Sequence, residues 1–155
     1  MSAVVVPVRD AVVKAFNDAG LQPALTAVGI YDLAYDLKAL SGGRVAVAPQ
    51  TKIPALLTRG GPQRNDTKID LAVQYKYATP VAAEIDPYMK LTEAAGDAFL
   101  GKTLACDGLG QTGQGIAFTA TCNEVTFPHG LYLHEHIKEF RVFTSVVTLH
   151  FLINA

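Results

Sequence analysis

The sequence predicts an α+β fold, with an antiparallel (mixed) sheet of about four to six strands and two helices packed on one face. Residues 67–77 alternate apolar or aromatic side chains with polar ones, which is the period of a half-buried strand. Residues 8–19 and 83–100 repeat apolar side chains at spacings of three and four, which is the period of a helix. The order of helix, strands, helix, strands is typical of this fold class.

The composition bounds the kinds of protein that this chain can be. Residues 1–155 are predicted to form a single α+β domain. The length is typical of one domain, and a hydrophobic fraction of 50% is enough to form its core. The charged fraction is 17%, below the average of about 25%, which indicates that partners cover part of the surface. A net charge of −1 argues against a general nucleic-acid binder. No apolar run reaches the roughly 18 residues of a membrane span, and the start lacks the basic region of a signal peptide.

The first helix and the first two clear strands follow in order along the chain. Pro7 suits the first turn of the helix at residues 8–19, and Gly20 suits its end. Residues 44–49 alternate as a strand and are predicted to pair in antiparallel fashion with residues 67–77. The odd positions of the second strand are apolar or aromatic, so we expect them to face the core.

A long loop is predicted between these two strands, at residues 50–66. It holds two prolines, two adjacent glycines and three cationic side chains, which are Lys52, Arg59 and Arg64, and its one acidic residue is Asp66. Structureless loops longer than about 12–15 residues are uncommon in compact domains and usually serve a function. The sequence therefore predicts an exposed, cationic and functional loop.

The second half of the chain is predicted to hold a helix and two strands. Pro87 suits the first turn of the helix at residues 83–100. The glycine-rich segment 107–115 is expected to be a flexible connection. Residues 116–127 have the composition of a strand, and residues 140–153 that of a long closing strand.

The closing strand is apolar on both of its faces. One of these faces carries Val142, Val146 and Leu152. Because two helices can cover only one face of the sheet, these three residues, or the edge of the strand, are predicted to contribute to contacts between subunits.

Two nucleotide-binding patterns occur in the wrong structural context. GDAFLGKT at residues 96–103 satisfies the phosphate-binding pattern, but it is predicted at the end of a helix, where Gly101 and Lys102 would form a C-terminal cap. GLGQTG at residues 108–113 precedes a predicted strand, so a glycine-rich loop is favoured over a dinucleotide site. The sequence therefore predicts no cofactor.

Candidate metal ligands and nucleophiles are few. His134 and His136, with His129 nearby, would share one face of a strand, but zinc sites need three or four convergent ligands, so a solvated or interface pair is favoured. Cys106 and Cys122 are expected to be free thiols, with a single disulfide as the alternative. With no nucleophile in a recognisable catalytic context, the residues by themselves indicate no convincing active site.

Four stretches together carry a resemblance to a known family. They are DAVVKAFNDAG (10–20), YDLKALSGGRVAVAPQ (35–50), TRGGPQRNDTKIDLAVQYKY (58–77) and FRVFTSVVTLHFLI (140–153). In the order of its elements and in these local sequences, the chain resembles the small neck and tail-completion proteins of long-tailed bacteriophages. The resemblance is in particular to the tail terminators and related head–tail joining proteins. The resemblance covers most of the chain, and residues 107–136 depart from it.

The resemblance implies a structural virion protein without catalysis. Such proteins form a closed ring, commonly a hexamer, that caps the tail tube beneath the head connector and leaves a channel for DNA. It implies as partners further copies of the chain, the connector or adaptor proteins and the tail tube protein, with DNA passing unread through the lumen. It also implies assembly in the host cytoplasm and a final place in the virion neck. Lys52, Arg59 and Arg64 would then face the channel or the adjacent ring.

Several alternatives stay open at this point. Tail terminator, head-completion ring and tube component all fit the same layout. A small α+β enzyme, or a ligand- or metal-binding domain that uses the region of His134 and His136, is the alternative from another class of protein.

Overall fold

A computed structural model describes residues 4–33, 35, 37–38, 40–56, 63–79, 81–109 and 115–154. The elements in chain order are α1 (Val5–Ala19), β1 (Ala27–Gly29), β2 (Gly43–Leu56), β3 (Gln63–Lys76), α2 (Ala82–Phe99), β4 (Thr103–Leu109), β5 (Gly115–Thr126), α3 (His134–Phe140) and β6 (Val142–Asn154). The predicted α+β class is confirmed. Among the described residues, no helix has the length and the apolar composition needed to cross a membrane.

The six strands form one mixed sheet in the order β1-β2-β3-β6-β5-β4. All neighbouring pairs are antiparallel except β1 and β2, which are parallel. The last strand of the chain, β6, lies in the middle of the sheet. It pairs Val147 with Leu71 of β3 on one side and Phe151 with Cys122 of β5 on the other. β6 therefore joins two hairpins, β2–β3 and β4–β5, into one sheet.

One face of the sheet, here named the helix face, packs against α1 and α2. Ile69, Leu71 and Val73 of β3 are fully buried on this face, as predicted from their period, and Tyr75 is half-buried. They contact the apolar stripes of the two helices, and the buried members of this core include Val8, Val12, Phe16, Ile69, Leu71, Val73, Leu91, Ala95 and Phe99. Because α1 contacts both edge strands, β1 and β4, the sheet curls around this helix.

The opposite face, here named the loop face, is covered by irregular chain segments. Ala46, Ala72 and Val146 form a small buried cluster there, against which Ile30, Leu33 and Leu133 pack. Beside it, the amide of Gln74 donates to the Leu33 carbonyl (2.6 Å) and accepts from the Arg44 guanidinium (2.6 Å). The loop face is therefore covered from within the same chain, and the expectation that it lacks cover is wrong.

The predicted loop at residues 50–66 is largely a hairpin. β2 continues to Leu56 and β3 begins at Gln63, so Lys52 lies in β2 and Arg64 in β3, whereas Arg59 lies outside the described residues. Pro49 does not end β2. The backbone groups of Val45 and Val47 point to the outer side of β2, away from β3, where they form hydrogen bonds with residues 26 and 30 on either side of β1. Two residues further on, the missing N–H of Pro49 falls on the same outer side, where no ladder bond to β3 needs it.

Two short elements were not predicted. Thr103–Leu109 forms β4, which takes in residues 107–109 of the predicted flexible connection, and residues 110–114 of that connection lie outside the described residues. His134–Phe140 forms α3 instead of the strand considered for His134 and His136, so the closing strand begins at Val142. The prediction for Pro87 also changes, because α2 begins at Ala82 and places this proline in its second turn.

Candidate interaction surfaces

An open groove runs between α2 and the segment 127–137. Two adjoining cavities of about 350 and 360 Å³, which share Leu131, make up this groove. Its walls are mainly apolar and include Ile85, Met89, Tyr132, Ile137, Phe143 and Phe127. Large hydrophobic side chains stand exposed along it: Val81 at 50%, Leu131 at 54% and Leu100 at 55% of their surface. Such a grouped apolar surface on one chain marks an interaction site.

The α2 wall of the groove carries an acidic stripe. Asp86, Glu93 and Asp97 line the two cavities and are exposed. Their spacings of seven and four residues place them on one side of the helix. Lys90 lies close to the stripe on α2, so three carboxylates stand against one ammonium group and the stripe stays acidic.

The other wall of the groove is held in place by β6. The buried Ser145 hydroxyl donates to the Leu131 carbonyl at 2.5 Å, and the Leu133 N–H donates to the Thr144 carbonyl at 2.9 Å. His136 Nδ1 lies 2.7 Å from Thr144 Oγ1, and the Tyr77 hydroxyl donates to the Ile137 carbonyl at 3.1 Å. These bonds satisfy buried polar groups and fix the segment against the sheet.

A side chain of the first turn of α2 bonds the segment that precedes the helix. The Glu84 carboxylate accepts the backbone N–H groups of Ala78 (3.0 Å) and Thr79 (3.3 Å). These backbone hydrogen bonds favour the charged form and lower the pKa of Glu84 below its ordinary value. These bonds hold residues 78–79 against the first turn of α2, next to Val81, which lines the groove.

A second exposed apolar surface, here named the tyrosine surface, lies beside the edge strand β1. Tyr31 is 73% exposed, Tyr35 is 63% exposed, and Val28 of β1 is exposed next to them. The Arg9 guanidinium lies 5.4 Å from the centroid of the Tyr31 ring and supports it. This surface is aromatic and carries the Arg9 guanidinium, so it differs in character from the acidic groove.

The predicted cationic site lies at one end of the sheet. Asn65 pairs with Ile153, so Arg64 comes at the end where β6 finishes. Lys52 pairs with Thr67 on the way to the same end. The structure therefore brings Lys52 and Arg64 to one hairpin, and the predicted position of Arg59 lies outside the described residues.

The comparisons with known proteins leave the family open. No family model matches this chain, and no curated protein matches it. The function is therefore argued from the surfaces described above.

The predicted subunit contacts on β6 divide into two groups. Val142 and Val146 have 0% and 1% of their surface exposed within one chain, so the structure corrects their assignment to a contact between subunits. Irregular segments of the same chain cover the loop face at this point, and Leu33 and Leu133 pack there against Val146. An edge contact is also ruled out where β6 pairs on both sides, from Thr148 to Ile153. Leu152 is half-buried, and its place in a subunit contact stays a prediction.

The histidines diverge instead of converging on one site. His134 is exposed, lines the groove and stacks near Tyr132, with 4.6 Å between ring centroids. His136 turns to Thr144 of β6. The described residues contain no group of three or more His, Cys, Asp or Glu side chains that could hold a metal ion.

The remaining sequence motifs have structural roles. Gly96 lies within α2 and accepts the Leu100 N–H at 3.1 Å, and Gly101 takes a positive φ of 81° before β4 begins. The phosphate-binding pattern thus lies at the end of a helix, as predicted, and β4 follows it where a phosphate site would need a helix. Cys106 and Cys122 are free and buried, and burial raises the pKa of both thiols, that of Cys106 to about 11.

The groove was missed at the level of sequence because α3 was not predicted. Its α2 wall was recognisable from helical period, and the stripe of Asp86, Glu93 and Asp97 could have been found from the same period. Its second wall comes from residues 127–137, where no long periodic signal exists.

Proposed function

We propose that this protein is a structural subunit of the bacteriophage neck, forming a ring that terminates the tail tube and joins it to the head connector. The ring leaves a channel through which DNA passes without sequence-specific contacts. In this proposal the protein is not an enzyme, and it is assembled in the host cytoplasm into the virion. The family resemblance of the sequence supplies this hypothesis, and the exposed surfaces of the chain support it.

The observation that carries the proposal is that one chain exposes two unlike apolar surfaces. The groove is concave and acidic, whereas the tyrosine surface is aromatic and carries Arg9. A ring needs heterologous contacts, in which one patch of a subunit meets a different patch of its neighbour. A subunit of a neck also needs a contact with the adjoining protein along the axis. We assign the groove to the neighbour in the ring and the tyrosine surface to the connector or tube protein.

The sheet edges are consistent with contacts made through side chains. β2 carries Pro49 and a bulge between Pro49 and Thr51 along its outer side, beyond the three residues that β1 covers. Proline and bulges prevent strands of different chains from pairing edge to edge. At the other edge, α1 packs against β4.

The test is the assembly state of the purified chain. Native mass spectrometry and negative-stain imaging should show closed rings with a central hole, commonly of six subunits. Rings that bind a tail tube or connector preparation would support the full proposal. A chain that stays monomeric over the micromolar range and binds neither preparation would contradict it.

One observation favours a second candidate, a ligand-binding domain. His134 and Asp86 stand at the cavity of about 350 Å³, in which apolar side chains surround a few polar groups. Small-molecule pockets are usually more closed than this groove. Binding of an apolar fluorescent probe by a monomer, lost in Met89→Asp, would favour this second candidate over the ring.

A further inference from the structure

We infer that the groove of one subunit receives the end of the β2–β3 hairpin from a second copy of the same chain. This inference rests on the proposed function and specifies the contact between neighbours in the ring. The structure supplies the receiving surface, and the sequence of residues 52–64 supplies the chemistry of the occupant.

The charges of the two parts are complementary. The groove carries Asp86, Glu93 and Asp97 on its α2 wall. Residues 52–64 contain three cationic residues and no acidic one. Opposite charges on facing surfaces fix the register of a complex and exclude like-charged partners.

The apolar content is complementary as well. Residues 52–64 read KIPALLTRGGPQR, so one aliphatic run lies between the cationic residues Lys52 and Arg59. The groove offers exposed Leu131 and Leu100 between its walls. An amphipathic, cationic hairpin end suits an apolar groove with an acidic wall better than it suits water.

A chain cannot place its hairpin end in its own groove. Phe143, which lines the groove, and Ile153, which marks the hairpin end, are ten residues apart in β6, or about 34 Å. The groove also includes Leu100, whose neighbour Gly101 donates to the Cys122 carbonyl opposite Phe151, about 7 Å along the strand from Ile153. The described end of the hairpin, Leu56 paired with Gln63, lies about 7 Å beyond Ile153 in the other direction, and the two strand spacings from β3 to β5 add about 10 Å. Three residues of fully extended chain, half the link between Leu56 and Gln63, span at most about 11 Å. The contact must therefore form between copies.

This placement also fixes the kind of assembly. The hairpin end lies at one end of the sheet, and the groove extends toward the other. Each copy then gives its hairpin to one neighbour and its groove to another, which is a heterologous contact. Such contacts close into rings when the rotation between copies allows it.

The first experiment reverses the charges in the full-length chain. Glu93→Arg with Asp97→Arg, and separately Arg59→Glu with Arg64→Glu, should each weaken self-association about tenfold or more, because like charges then face each other. A chain that carries all four changes should regain most of the lost association. The matched control is Asp18→Arg with Asp107→Arg, two exposed carboxylates outside the groove and the hairpin, which should leave association unchanged.

The second experiment separates the contact from the ring. A fluorescent peptide of residues 50–66 is titrated into the full-length Arg59→Glu, Arg64→Glu chain, whose groove is vacant under this proposal. The peptide should bind, and binding should fall about tenfold with Glu93→Gln and Asp97→Asn, which keep shape and remove charge. Circular dichroism checks that each variant is folded.

The outcomes distinguish the two proposals. If both charge-reversal variants still form rings and the peptide does not bind, the hairpin contact is overturned and the ring proposal stands. A monomeric wild-type chain whose groove still binds the peptide supports the contact and overturns the ring. A monomer without peptide binding overturns both.

Discussion

The two faces of the central sheet are both buried, but they are buried by different means. On the helix face, aliphatic side chains such as Leu71 and Leu149 pack against α1 and α2. On the loop face, the strands present alanines and polar side chains, among them Gln74 and Thr144, to irregular segments. Irregular backbone leaves carbonyl groups without a regular partner, and the polar side chains of the sheet satisfy them. The difference shows that a strand with apolar residues on both faces can be covered on its second face by irregular segments of its own chain. Neither a second layer of helices nor a second subunit is required.

The largest expected effect breaks the cover of the loop face. Val146→Lys places an ammonium group between Ala46 and Ala72, where it has no water and no partner, so we expect a loss of about 3–5 kcal/mol in the free energy of unfolding. Chemical denaturation followed by circular dichroism measures it.

The matched control lies on the same strand and the same face. Leu152 is half-buried and pairs with Asp66, so Leu152→Lys should change the free energy of unfolding by less than about 1 kcal/mol. A folded Val146→Lys monomer would contradict the burial described here and would return this residue to the subunit contact. Loss of the ring in a folded Leu152→Lys chain would support the predicted role of Leu152.

A smaller effect tests the polar part of the loop face. Gln74→Ala removes the bond to the Leu33 carbonyl and the bond from Arg44, so we expect a loss of about 1–3 kcal/mol in the free energy of unfolding. Gln50→Ala is the control, because Gln50 is exposed and its bond to Asp70 at 3.0 Å competes with water. Equal losses in the two variants would show that the buried network adds nothing.

The smallest expected effect on stability comes from the exposed hydrogen bonds of Glu84 at the start of α2. The pKa of Glu84 is lowered by the N–H groups of Ala78 and Thr79, so its stabilising effect is present above the ordinary pKa of a glutamate and is lost as the pH falls through the lower, folded value. The melting temperatures of wild type and Glu84→Gln should therefore differ at neutral pH and converge in acid. A difference that persists at pH 2 would assign the effect to another cause.

The sequence predicted the helix face well and the loop face poorly. The odd positions of β3 and the apolar stripes of α1 and α2 have clear periods, so the fold class and the main core followed from them. The loop face depends on Leu33 and Leu133, single residues in irregular segments that no period connects to the sheet. A subunit contact at Val146 was therefore predicted where the chain covers itself.

The hairpin and the groove were hidden for different reasons. Prolines usually end a strand, and Pro49 made residues 50–66 resemble a loop, but an outer strand needs no N–H on its free side. α3 is only seven residues long, and its adjacent histidines suited a strand equally well. The candidate site at the groove therefore became visible only when α2 and the segment 127–137 were seen side by side.

The central place of β6 has a consequence for synthesis. The two hairpins that flank this strand, β2–β3 and β4–β5, are joined in the sheet only through it. Until residues 142–154 have left the ribosome, the helix face is divided and the apolar stripe of α1, made first, has no complete surface to bind. Folding of this kind depends on contacts between distant parts of the chain and exposes apolar surface for most of translation. Chaperones that bind nascent chains should therefore engage α1 and release it only after the last strand is inserted.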